Sequence, residues 1–208
     1  MFIKENDTVL FQGDSITDCD RDKNILRKRD ADSLGCGYVR HVAGEWSMRY
    51  PNMSVKFYNR GISGDTTVDL LKRWDKDAAD TKPTVISIYI GINDVCKNIS
   101  TELFFENYRS ILLKAASVTD RLLIFEPFFI PLLSLFDRGE RFWRNLAEKQ
   151  NICKDFAAKY SAKYISLGNI MNEAFEIRQD DWWTSDGVHP SDAGHALISK
   201  YVLEVFEE

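Results

Sequence analysis

Five short apolar runs, each followed by a longer stretch with helical periodicity, constrain the fold of this chain more than any other feature. The runs span residues 8–13, 55–59, 84–90, 122–126 and 163–167. They are nearly continuous in apolar and β-branched residues, as strands covered on both faces must be. The helical patterns fall at 38–49, 66–80, 102–117, 141–160 and 191–206. Within them Val68, Leu71 and Trp74 share one face, as do Phe104, Tyr108, Ile111, Leu112 and Ala115. In the fourth, Phe142, Leu146, Cys153, Ala157 and Tyr160 recur at helical spacing, and Pro190 precedes the last as a start signal. Strand and helix in strict alternation predict a mostly parallel five-stranded sheet in an α/β fold. No linker, repeat or low-complexity tract interrupts it, so residues 1–208 read as one domain.

Ligands of open parallel sheets bind beyond the carboxyl ends of the strands. Small polar loops stand at those ends here. Gly13-Asp14-Ser15 follows the first run, Asn59 to Asp65 the second, and Gly91-Ile92-Asn93-Asp94 the third. Ser185-Asp186-Gly187-Val188-His189-Pro190 precedes the last helix. Asp186 lies three residues before His189, close enough to orient an imidazole and leave its other nitrogen free as a base. A serine hydroxyl is a poor nucleophile until such a base takes its proton, and Ser15 is the candidate. Acyl transfer also needs donors for an oxyanion. The backbone N–H groups of Ser15 and Gly64 and the side-chain amide of Asn93 are available, Gly64 being placed at the opening of the 66–80 helix. Asp14 is expected to organise the first turn, and Asp94 to support the Asn93 loop.

The four blocks, GDS at 13–15, Asn59-x-x-x-x-Gly64, GIND at 91–94 and DGVHP at 186–190, resemble those of the SGNH (GDSL) hydrolases, in order and across almost the whole chain. The resemblance implies a three-layer α/β/α, flavodoxin-like fold. It implies Ser15 as nucleophile, His189 as base with Asp186 as its partner, and Gly64 and Asn93 as oxyanion donors beside Ser15. The longer strings GDSITDC, LGCGYV, GISGDT and IGINDV resemble intracellular bacterial members of the acetylxylan-esterase kind. That narrower likeness implies a serine esterase removing acetyl groups from carbohydrates such as xylo-oligosaccharides. A thioesterase or lysophospholipase would use the same blocks. A non-catalytic sugar-binding protein would have no use for an activated serine.

Other features bound the partners. The net charge of -5 argues against nucleic acid or an anionic membrane, with Arg27-Lys28-Arg29 the sole basic run. The first residues carry no apolar stretch of signal-peptide length, and no run is long enough to span a bilayer. The four cysteines lack ligand or redox-pair spacing. A cytoplasmic enzyme with reduced thiols, acting on a small ester without metal or cofactor, is the expectation. His195 with Asp186 and Asp192 could suggest a metal site, but helix packing explains the imidazole better. Trp182 and Trp183 stand equally as core or as an aromatic wall for a sugar ring. The apolar segment 128–136 reads as an acyl-pocket wall or, favoured, as a contact burying itself in a homo-oligomer.

Overall fold

A computed structural model describes residues 1–23, 31–132 and 138–208 of the protein. The Arg27-Lys28-Arg29 run and residues 133–136 of the apolar segment lie outside the described residues. The five expected strands form one parallel sheet. They are β1 (Thr8–Gly13), β2 (Lys56–Asn59), β3 (Val85–Tyr89), β4 (Leu122–Phe125) and β5 (Lys163–Ile165), in the order β2-β1-β3-β4-β5. Every neighbouring pair is parallel.

The helices are α1 (Ser15–Asp18), α2 (Tyr38–Arg49), α3 (Thr67–Thr81), α4 (Ile92–Cys96), α5 (Thr101–Ala116), α6 (Gly139–Lys159), α7 (Leu167–Ile177) and α8 (Asp192–Glu207). A 3₁₀ turn occupies Ala31–Leu34. Side chains alternate across each strand, so the sheet builds two cores. Val9, Phe11, Val85, Tyr89, Leu123 and Phe125 face α2, α7 and α8. Leu10, Ile86, Ile88, Leu122 and Ile124 face α3, α5 and the second half of α6. This is the three-layer α/β/α arrangement.

Three helices escape the sequence pattern. α1 and α4 are too short to show a period, and α7 begins at Leu167, the residue where the fifth apolar run ends. On α3 the buried face runs through Thr67, Leu70, Trp74 and Asp77, one step round from the expected Val68 and Leu71, which are half-buried. The apolar segment also needs correction. Phe128, Phe129 and Ile130 are buried in the chain's own core and are not a surface kept for a second copy.

Candidate active site

The chain leaves β1 for β2 on one side and returns to β3 on the other. The strand order therefore reverses between β1 and β3, the point where such folds open a ligand crevice. Ser15 follows β1 and Asn93 follows β3. At Gly13 a Cβ would sit 2.2 Å from Thr17 Oγ1 and 2.5 Å from the Tyr89 carbonyl oxygen, so glycine alone lets the chain turn so tightly here. Asp14 caps α1 by accepting the Ile16 N–H at 3.1 Å. Ser15 is the first residue of α1, where a backbone N–H has no acceptor within the helix.

The Asp186–His189 loop reaches Ser15 from the far end of the sequence. Gly187 adopts φ +86°, and its carbonyl accepts the Ile130 N–H at 2.9 Å, so the buried 128–130 stretch braces the loop from behind. Thr184 Oγ1 accepts the Gly187 N–H at 3.0 Å. Asp186 Oδ1 accepts the N–H groups of Val188 (2.9 Å) and His189 (2.8 Å). Its Oδ2 lies 2.6 Å from His189 Nδ1. Burial pulls the Asp186 pKa upward, but the His189 backbone and imidazole and the Val188 N–H outweigh it and hold the carboxyl below its ordinary value. An ionised carboxylate only accepts, so His189 Nδ1 carries the proton. The free Nε2 then faces Ser15 Oγ at 2.9 Å and accepts its O–H. The His189 side chain is 51% exposed, so the dyad is open to solvent.

Gly64 and Asn93 are tied together and to the Ser15 turn. Asn93 Nδ2 donates to the Asp65 carbonyl at 3.0 Å, leaving its second N–H for another acceptor. Lys97 Nζ donates to the Gly64 carbonyl at 2.6 Å. The Ser63 N–H donates to Asp18 Oδ2 at 3.0 Å, and the Ile62 N–H to the Gly13 carbonyl at 3.1 Å. Gly64 does not open α3. It sits in a turn with φ +83°, two residues before the Thr66 N-cap. Asp94 supports the loop as expected, both its oxygens accepting the Thr67 N–H and Oδ1 the Thr67 hydroxyl at 2.6 Å. Burial raises its pKa to about 6, against the pull of those bonds.

Sequence reasoning missed the groups that hold this frame. Arg73 on α3 donates to Asp65 (2.7 Å), Gln12 (2.8 Å), the Gly13 carbonyl (3.0 Å) and Asp77. One guanidinium thus joins the loop before Ser15 to the loop after Gly64. Asn59 Nδ2 donates to the carbonyls of Thr17 and Leu34, while its Oδ1 accepts the Gly61 N–H at 2.8 Å. Gln12 was the available signal: a polar residue inside a buried strand must find a partner.

The remaining candidates divide. Trp183 packs against the core, whereas Trp182 is 47% exposed with the Arg178 guanidinium 4.0 Å from its ring centre. His195 is buried on α8, where Nδ1 accepts the Tyr38 N–H at 3.2 Å and burial lowers its pKa to about 4. Among the described residues, no three His, Cys, Asp or Glu side chains are grouped to hold a metal ion.

Asp14 is wholly buried, and among the described residues its Oδ2 has no partner. Burial raises its pKa to about 7, opposed by the Ile16 N–H and His189. A carboxyl raised in the fold costs nothing below its unfolded value, about 3.9, and destabilises progressively as pH climbs through 7. Asp14→Asn is therefore expected to raise Tm at pH 8 by about 5–10 °C and to give no gain at pH 4. A gain that is equal at both pH values would show that Asp14 is not protonated in the fold.

The family model for the GDSL-like lipase/acylhydrolase family matches residues 11–197. An acetylxylan esterase of Geobacillus stearothermophilus is 30% identical over 98% of this chain and 95% of its own length. The solved structure of the acetylxylan esterase Axe2 from that organism superposes with a TM-score of 0.89 at 28% identity, covering 100% of this chain and 97% of its own. A solved structure from Parabacteroides merdae, described as that of a putative GDSL-like lipase, gives a TM-score of 0.91 at 27% identity, covering 99% and 97%. Structures described as catalytic mutants of Axe2 replace a serine, an aspartate and a histidine. With the family model spanning nearly the whole chain, the protein belongs to the GDSL-like lipase/acylhydrolase (SGNH) family and is a carboxylic ester hydrolase.

Proposed function

We propose that this protein removes acetyl groups from carbohydrates such as xylo-oligosaccharides, with Ser15 as nucleophile and an acyl-enzyme intermediate. The observation that carries the proposal is the linked series Asp186 Oδ2, His189 and Ser15 Oγ, at 2.6 and 2.9 Å. His189 Nε2 takes the Ser15 proton as Oγ attacks the ester carbonyl. The Ser15 and Gly64 N–H groups and the free N–H of Asn93 receive the oxyanion. His189 returns the proton to the departing sugar oxygen, which leaves as a hydroxyl, and Ser15 is left acetylated. Water, deprotonated by the same imidazole, then releases acetate. The exposed ring of Trp182 is assigned to stacking on a pyranose face.

The likeness to acetylxylan esterases supports the acetyl and xylo-oligosaccharide assignments. Strands from residues 8 to 165 in one sheet, closed by α8, support reading 1–208 as one domain. Among the described residues no helix is long and apolar enough to cross a membrane. Four free thiols support a reducing, cytoplasmic setting.

The test compares hydrolysis of aryl acetate, butyrate and octanoate with acetate release from acetylated xylo-oligosaccharides. Acetate is expected to be the best acyl group by at least about tenfold over octanoate, one to two methylenes of discrimination in a small pocket being worth that much. A preference for octanoate would assign the site to long acyl chains and overturn the deacetylase reading.

A further inference from the structure

The thiols of Cys19 and Cys36 lie 3.1 Å apart, although 17 positions separate them in sequence. Cys19 is the C-cap of α1, the helix whose first residue is Ser15, and its N–H donates to the Ser15 carbonyl at 2.9 Å. Cys36 immediately precedes Gly37, the N-cap of α2. The Cys36 N–H donates to the Cys19 carbonyl at 2.8 Å, and its thiol points to the same oxygen at 3.3 Å. The two backbones are thus already clamped side by side. The start of α2 also packs closely on Cys19: a Cβ on Gly37 would sit 2.9 Å from Cys19 Sγ and 2.7 Å from the His195 ring. A disulfide requires sulfur atoms at about 2.05 Å, so closure needs a movement of roughly 1 Å.

We propose that Cys19 and Cys36 are a reversible dithiol–disulfide site that locks the Ser15 turn to the start of α2. The site is independent of the deacetylation reading. Cys36 is exposed and Cys19 half-buried, which sets the order of events. The Cys36 thiolate attacks a low-molecular-weight disulfide such as oxidised glutathione, forming a mixed disulfide and releasing one thiolate. Cys19 Sγ then attacks Cys36 Sγ, the new bond forming as the second glutathione thiolate leaves. The two cysteine thiol protons end on the two released thiols, so two electrons pass from the pair to the oxidant.

His195 assists the second step. Its Nδ1 is committed to accepting the Tyr38 N–H, so in the neutral ring Nε2 carries the hydrogen and points at Cys19 Sγ, 3.4 Å away. A donor at that distance favours the thiolate. Burial and the neighbouring Cys36 otherwise push the Cys19 thiol up to about 12, and capping Cys36 removes the second of those influences.

The experiment treats the protein with excess oxidised glutathione, denatures it, alkylates it and measures intact mass, peptide masses and Tm. Four alkyl groups are expected on the untreated protein; on the treated one Cys19 and Cys36 are joined in one peptide pair, the buried Cys153 is alkylated, and the exposed Cys96 carries either an alkyl group or a glutathione. Tm is expected to rise by about 5–10 °C on oxidation, as for a closed loop of this length, and to return with dithiothreitol. Cys36→Ser, an exposed substitution, should keep the untreated Tm and show no rise. Four alkylations after oxidation, a glutathione adduct that persists on Cys36, or a bridge to Cys96 would each overturn the proposal. So would thiols that a chelator releases for alkylation, since that would make them metal ligands.

Discussion

Ser15→Ala is expected to lower kcat/KM for an aryl acetate by on the order of 10⁴ or more while the protein stays folded. The substitution removes one oxygen at the first residue of α1. It leaves the Asp14 cap, the Gly13 turn and the Arg73 bonds to the Gly13 carbonyl and Asp65 in place. Tm should therefore move by no more than about 2 °C, as for a surface change. Loss of the attacking atom differs from loss of a helper, since His189 would have only water to activate. A residual rate above a few per cent in a folded variant would mean that another group attacks the ester. Measuring Tm on the same sample separates that outcome from simple misfolding.

Asn93→Ala should cost less than Ser15→Ala but still slow the reaction strongly. The ester oxygen gains negative charge only as Ser15 attacks, so a donor aimed at the oxyanion strengthens in the transition state. The expected cost is about 10²–10³ in kcat, roughly 2.7–4 kcal/mol, with KM within a few-fold. The Ser15 and Gly64 backbone N–H groups cannot be deleted by ordinary substitution, which leaves Asn93 as the cleanest probe. Its bond to the Asp65 carbonyl adds a structural role that needs a control. Asn93→Asp keeps the size but replaces the donor with a carboxylate facing the oxyanion, and should be at least as harmful. A sharp rise in KM with kcat unchanged would mean that Asn93 grips the substrate before reaction, contrary to an oxyanion role.

The parts of this protein that repeat are the parts that could be read from its sequence. β1 falls at the expected residues because five of its six positions are buried and the glycine that ends it has a steric reason to be there. The Phe104–Ala115 face of α5 likewise lies in the core as its spacing required. The four polar loops were legible because each stands at a strand end or before a helix. The long-range polar frame was not. Nothing in the residues around Arg73 marks it as the partner of Gln12, because packing of α3 on β1 brings the two together and no spacing does. Asn59 looks like a motif residue, yet its amide spans the ends of two other segments. The two tryptophans were ambiguous for a related reason: adjacent residues in an irregular loop have no period to say which one turns inward.

The Arg73 frame also divides the rim of the site by its freedom to diverge. The loops after β1 and β2 are cross-bonded through one guanidinium, and at Gly61 even a methyl group would meet the Asp18 nitrogen at 2.3 Å. A change there disturbs the chemistry itself. Pro131 is exposed and Leu132 half-buried beyond β4, and residues 181 and 182 are exposed before the histidine loop, outside that frame. Side-chain changes at these positions break none of the bonds that hold Ser15, Asn93 and Asp186 in place, so a combinatorial library meant to keep the ester chemistry is best concentrated there.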